Sequence, residues 1–390
     1  MKISRIFCIS HLAIFSVVYV SAQQAKPPIM GWSSWNNFRI DINEKLIREQ
    51  ADALISTGLY DAGYRYINID DGYFWGRDSI GNLLTDTIKF PSGMRHLVEY
   101  IHNKGLKAGI YTDAGENTCG SIYDNDKNGI GVGIYGHIEQ DTRLFFKDWG
   151  FNFLKVDWCG GEQMNLSEEE EYTKIIDAVK SIDSSIVFNI CRWQFPGEWA
   201  LKKADSWRIS QDIRENFKSI LAIIDINRDL YKYASPGHYN DMDMLQVGRG
   251  MSYEEDKTHF SMWCMLNSPL LAGNDLRNMS TETIQILTNK ELISIHQDPA
   301  LQQAKCISAE GGIEIWEKTL FSEKGKTTAI AIMNRNEEKV KYQVSPKKLN
   351  AGRTCMIRDL WLHKDLGELG KERSLVLPAH GIIVLKIEHN

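Results

Sequence analysis

The chain has 390 residues, 43% of them hydrophobic and 25% charged, with a formal net charge of −6. That balance describes a globular protein with a sizeable core, and it excludes a collagen-like repeat, a coiled coil and extensive disorder. The excess of acid over base argues against nucleic acid and against an anionic membrane surface as partners, since both ask for a basic face.

Lys2 and Arg5 precede a mostly apolar run from Ile6 to Val20, and Val20-Ser21-Ala22 supplies small residues for cleavage. Residues 1–22 thus read as a secretory signal peptide, which predicts a secreted or periplasmic protein. The run is short for a bilayer span, and Cys8 lies too early in it for lipidation. No later stretch approaches the ~20 apolar residues of a span, so no membrane contact is expected after signal removal. Cys119, Cys159, Cys191, Cys264, Cys306 and Cys355 remain, an even number that permits disulfides in an exported protein. No CxxC occurs, so neither a zinc ribbon nor a redox motif is expected, and no metal site is assigned.

From residue 23 to Pro299, short apolar runs alternate with helical patterns. Ile47, Ala51, Leu54 and Ile55 are spaced as one helical stripe, and Gly58 follows where that helix should stop. The run Tyr64–Asp70 reads as a strand. Met94, Leu97, Val98 and Ile101 form a second stripe, ended by Gly105. Lys107–Asp113 and Phe151–Asp157 read as strands, the second opening after Gly150. Ser167 with Glu170 predicts a capping box for a helix through Tyr172, Ile175, Ile176 and Val179. Ile186–Cys191 and Ser206–Ser210 are further strands. Strands and helices alternating at about 40 residues mean parallel βα units, in a doubly wound sheet or a (β/α)8 barrel. Roughly 270 residues suits the barrel. So do the polar groups at the strand ends, Asp70-Asp71, Asp113, Asp157, Arg192 and Asp212, which a barrel gathers on one face. From residue 300 to 390 the helical stripes vanish. Ile313–Trp316, Thr328–Ile332, Lys339–Val344 and Gly381–Ile387 alternate as strands, predicting an antiparallel β-sandwich domain.

Some motifs carry no chemistry. Gly131–Gly136 matches GxGxxG but follows polar loop rather than a strand, so no dinucleotide is expected. Asp124–Gly129 begins like a calcium loop, but Tyr135 stands where the twelfth-position Glu belongs. Asn165-Leu-Ser and Asn278-Met-Ser are glycosylation sequons. The carboxylates at the strand ends say more. Lys155 lies two residues before Asp157 on the same strand face, where its charge favours the ionised carboxylate. Asp212 lies after a segment carrying Arg208. Two carboxylates on one barrel face suggest glycoside chemistry, with one as nucleophile or base and the other as acid. Trp35, Tyr111, Trp158 and Trp193 offer flat apolar faces for a sugar ring.

Met30–Trp35, Ile69–Gly72, Gly109–Asp113, Leu154–Asp157, Trp207–Ile213, Asn240–Leu245, Ser268–Asp275 and Gln297–Pro299 occur in an order that resembles the α-galactosidases of glycoside hydrolase family 27. The resemblance covers the whole barrel. It implies a (β/α)8 barrel followed by an antiparallel β-sandwich, and a retaining hydrolase of terminal α-galactosyl groups with no cofactor. It also implies Asp157 as nucleophile and Asp212 as acid/base. Trp35, Asp70, Asp71, Tyr111, Lys155, Arg208 and Asp243 would hold the sugar, with Asp70 and Asp71 on O4 and O6, and Cys191 and Trp193 near C2. Cys119 and Cys159 match a family disulfide beside the pocket. Many members carry Cys-Glu-Trp where this chain has Cys191-Arg192-Trp193, so Arg192 bears on C2 specificity or on the neighbouring subsite. A β-L-arabinopyranosidase, an α-N-acetylgalactosaminidase and a catalytically silent sugar-binding protein are the alternative readings. The sequence assigns no oligomeric state.

Overall fold

The computed structural model describes residues 25–323 and 325–389. The predicted signal peptide, 1–22, lies outside them. Among the described residues, eight parallel strands form one sheet in which neighbours in sequence are neighbours in space. They are β1 (Met30–Ser33), β2 (Tyr66–Ile69), β3 (Lys107–Asp113), β4 (Phe153–Asp157), β5 (Val187–Ile190), β6 (Ser206–Arg208), β7 (Tyr239–Asp241) and β8 (Leu270–Ala272). β1 pairs with both β2 and β8, and a parallel bridge from Leu245, just beyond β7, to Ala272 closes the ring. This is the barrel of the two architectures that the repeat allowed.

The strand interiors explain the polar ends. Side chains two apart share a strand face. Tyr66, Asn68 and Asp70 therefore follow one another up β2, and Phe153, Lys155 and Asp157 up β4. At the bottom, Tyr66, Phe153 and Val187 form an apolar plug. Above it, Asn68 donates to Ser33 Oγ at 3.1 Å, and Asn189 donates to Ser206 Oγ and Asp241 Oδ2, both at 2.8 Å. Above these lie Asp70, Lys155 and Asp157. The barrel is thus apolar at its base and increasingly charged toward the C-terminal ends of its strands.

The predicted stripes pack against this sheet. The helix Glu44–Ser56 buries Ile47, Ala51 and Leu54 but leaves Ile55 exposed, and Asn43 caps it by accepting the Leu46 N–H. The helix Gly93–Asn103 buries Met94, Leu97, Val98 and Ile101. The helix Glu168–Ile182 buries Tyr172, Ile175, Ile176 and Val179, but Ser167 makes no side-chain capping bond. The expected capping box is absent there. Four consecutive glutamates, Glu168 to Glu171, complement the positive helix end instead. A capping box does form at Ser252 and Glu255, on the helix Tyr253–Met265.

The C-terminal part adds β9 (Lys305–Glu310), β10 (Ile313–Leu320), β11 (Thr327–Asn334), β12 (Val340–Val344), β13 (Cys355–Asp359), β14 (Lys364–Leu369), β15 (Arg373–Leu377) and β16 (Ile382–His389). Six of them form an antiparallel sheet in the order β9-β10-β11-β16-β13-β14, and β12 pairs with β15. Ile330, Ile332, Val344, Ile357, Leu377 and Leu385 share one core. Ala329, Ala331 and Met333, on the other face of β11, join the core of the barrel. β11 is therefore buried along its whole length, with small side chains toward the helix Tyr253–Met265. Lys318, itself fully buried, donates from β10 to the Cys264 carbonyl at 2.9 Å and to Asn267 Oδ1. No described helix is long and apolar enough to cross a membrane.

Candidate active site

A cavity of about 500 Å³ opens at the C-terminal ends of the strands. Asp70, Tyr111, Asp157, Arg208 and Asp243 are buried and, with half-buried Lys155, form its floor. Trp35 enters just after β1, and Trp193 enters after β5 with its backbone at φ 58. Asp212 stands at the lip. The Cys119–Cys159 disulfide joins the segments after β3 and β4 and lines one wall.

The floor is a chain of ion pairs. Lys155 Nζ lies 3.0 Å from Asp70 Oδ2 and 3.8 Å from Asp157 Oδ2. Asp157 Oδ1 accepts the Trp158 N–H at 3.1 Å. Arg208 Nη2 lies 2.8 Å from Asp243 Oδ2 and 3.1 Å from Asp212 Oδ1. Asp243, at φ 74, also accepts the N–H groups of Met244 and Ile213, which ties the segment after β7 to the Asp212 segment. Burial pushes Asp157 up to about 6, against the pull of Lys155 and with help from Asp212. Burial also acts upward on Asp212, but Arg208 and Lys155 outweigh it and hold that carboxyl below its ordinary value.

Not every predicted residue faces the cavity. Asp71 is fully buried behind Asp70, where its carboxylate accepts the Gly72 N–H at 2.8 Å and the Gly120 N–H at 2.7 Å. A Cβ on Gly120 would stand 2.7 Å from Asp71 Oδ2, so this contact requires glycine. Asp71 therefore anchors the loop after β3 instead of presenting its carboxylate to the pocket. Cys191 lies beneath the lining, its sulfur 3.7 Å from Arg208 Nη1. Trp158 stacks on Tyr172 outside the cavity. Asp113 turns away too, and its Oδ1 accepts the N–H groups of Gly115, Gly160 and Gly161. Arg192 pairs with Glu168 at 2.8 Å and is not part of the lining. Asn36, Arg39, Tyr123, Gln211, Arg214 and Met244 also line the cavity, and the sequence reading did not single them out. They come from loops and from the short helices Trp35–Phe38 and Cys119–Tyr123, none long enough to show a periodic pattern. Asp113, Cys119 and Cys159 form the one cluster of metal-ligand types among the described residues, but the two sulfurs are bonded to each other and offer no thiolates.

Two carboxylates in one cavity, with cations placed to receive hydroxyl groups, suit the cleavage of a glycosidic bond. Residues 27–298 match the family model described as alpha galactosidase A, and residues 310–387 match its C-terminal β-sandwich domain. The chain belongs to this family, glycoside hydrolase family 27. It is 40% identical to alpha-galactosidase A of Cellvibrio japonicus, with 96% of each chain covered. It is 41% identical to alpha-galactosidase 2 of Arabidopsis thaliana, over 91% of this chain and 88% of the relative. The crystal structure of α-galactosidase I from Mortierella vinacea superposes with a TM-score of 0.87 at 31% identity, covering 95% of this chain and 99% of that one. The barrel followed by a β-sandwich is thus the family's architecture as well as the one that the strand pattern predicts.

Proposed function

We propose that the chain is a retaining exo-α-galactosidase, with Asp157 as nucleophile and Asp212 as acid/base. The observation that carries this reading is the placement of both carboxyls in one cavity with different surroundings. Asp157 is buried at the floor beside Lys155, and Asp212 is at the open lip, where a leaving group would depart. A galactosyl ring seated on the floor meets Lys155, Asp70, Arg208 and Asp243 as hydrogen-bonding groups, with Trp35 and Tyr111 as apolar faces. Asp71 serves indirectly, by holding the loop that carries Cys119.

Asp157 attacks the anomeric carbon while Asp212 gives its proton to the departing oxygen. The resulting ester has no charge. The repulsion between the two carboxylates then disappears, which lowers the pKa of Asp212 further and makes it a base toward water. Attack of that water releases galactose with its configuration retained. The catalytic domain in this reading is 23–299 and the β-sandwich 300–390, with residues 1–22 removed on export to the periplasm or the exterior.

Hydrolysis of p-nitrophenyl α-D-galactopyranoside tests the reading. Proton NMR should show α-galactose as the first product, and Asp157→Ala should abolish turnover. β-Galactose appearing first would overturn the double displacement, and no turnover by folded wild type would overturn the activity.

A further inference from the structure

The cavity is charged differently at its floor and at its mouth. Four cations line it: Arg39, Lys155, Arg208 and Arg214. Three have carboxylate partners, namely Asp124 for Arg39, Asp70 and Asp157 for Lys155, and Asp212 and Asp243 for Arg208. Arg214 differs. Among the described residues its guanidinium has no hydrogen-bond or ion-pair partner, and the residue is held by its backbone alone: its N–H donates to Ser219 Oγ at 3.0 Å and its carbonyl accepts the Asn216 N–H at 2.8 Å. It is exposed and lines the cavity two residues beyond Asp212, the proposed acid. Arg39 shares this mouth, held by Asp124 and lying over the Trp35 ring at 4.6 Å from its centroid. Exposed Tyr123 and half-buried Trp193 add flat apolar faces. Apart from Asp212, every carboxylate lining the cavity is buried in the floor.

We infer that the subsite beyond the scissile bond takes an anionic sugar, with Arg214 as the residue that receives its charge. This rests on the proposed glycosidase reading and names the substrate class of the same site. A guanidinium offers a planar fork of donors that matches a carboxylate, so the uronic acids are the best geometric fit. The aromatic rings would carry the body of the sugar. The whole chain is acidic, so an unpaired arginine at the mouth is a local reversal of the general charge.

The test uses two disaccharides that differ only at C6 of one ring, a carboxylate in one and a neutral hydroxymethyl group in the other. One has α-galactose linked to glucuronic acid, and in the other that uronate is reduced to glucose. Both are compared by kcat/KM with wild type, Arg214→Gln and Arg214→Lys, at low and high salt. Wild type should prefer the uronate by about three- to tenfold at low salt, as a partly exposed ion pair allows. High salt should shrink that preference. Arg214→Gln should bring the ratio toward one, and Arg214→Lys should keep most of it. An equal rate on both disaccharides, or a preference untouched by Arg214→Gln, would overturn the inference. Turnover of p-nitrophenyl α-D-galactopyranoside by the same preparations separates that outcome from failure of the glycosidase reading. A variant that fails to fold would show in circular dichroism, and the wild-type ratio would still decide.

Discussion

Arg208 and Asp212 are four residues apart and paired at 3.1 Å, yet the arginine side chain is 3% exposed and the aspartate 66%. The guanidinium reaches the lip from within the barrel because β6 ends at Arg208 and the chain turns outward after it. Its charge holds the Asp212 carboxyl below its ordinary value, whereas burial pushes Asp157 up to about 6. The single proton of the pair therefore rests mostly on Asp157, while the first step needs it on Asp212.

This arrangement fixes the pH dependence. The pair titrates as a unit, and only its singly protonated form can react. That form loses its proton as pH rises through about 6. Accordingly, kcat/KM should form a bell on the acidic side of neutrality and fall about tenfold per pH unit above that point. Initial rates at low substrate from pH 3 to 9 give the profile. A plateau extending to pH 8 would contradict the order of the two carboxyls.

Asp157→Ala should lower kcat by on the order of 10³-fold or more, because the covalent route is lost. Azide, small enough for the vacated space, should restore turnover and give β-galactosyl azide, since only one displacement then occurs. Asp212→Ala with azide should instead give the α-azide, because Asp157 still forms the ester. Product NMR separates the roles of the two residues. The same azide anomer from both variants would deny the assignment.

Much of this site was legible in the sequence because barrel strands repeat with period two and end on one face. Lys155 and Asp157 were placed together by that rule alone. β3 was bounded correctly because all its residues past Lys107 are buried and its ends are polar. β1, β7 and β8 are only three or four residues long, too short to show a period. The strand-end rule also included Asp113, whose function is different. Loop N–H groups captured its carboxylate, and nothing in the sequence marks where Gly115, Gly160 and Gly161 will converge. Arg39 and Arg214 were missed for the same reason. Their loops are positioned by contacts that are distant along the chain, such as the Arg39–Asp124 pair.

Asp113 carries a stability prediction. Burial pushes its carboxyl up to about 8, opposed by the three glycine N–H groups, and Asp71 is pushed to about 7 in the same way. A folded-state pKa above that of the unfolded chain means that the folded protein holds a proton the unfolded one has released. The stabilisation is complete below the ordinary value of 3.8 and declines as pH rises toward about 8. Asp113→Asn keeps the Oδ1 acceptor and has no charge to bury. It should raise Tm at pH 8.5, by roughly 2–4 °C for each kcal/mol regained, and change it little at pH 4. Thermal melts at both values decide, and a lower Tm at pH 8.5 would mean that the ionised form is the one that the three glycines require.

The Cys119–Cys159 disulfide spans 40 residues, and its removal should affect stability and binding separately. Chain entropy alone assigns a loop of that length about 4 kcal/mol. Cys119 also donates its N–H to Tyr111 Oη at 3.2 Å, and Gly120 donates to Asp71, so the disulfide fixes the backbone against the cavity wall. The pair Cys119→Ser with Cys159→Ser should therefore lower Tm and raise KM, while kcat falls less, because Asp157 stays on β4 and Asp212 stays beside Arg208. Measuring kcat and KM well below the variant's Tm separates the two effects. A drop in kcat as large as the rise in KM would show that the loop after β3 acts on the reacting carboxylates themselves and not only on the sugar's fit.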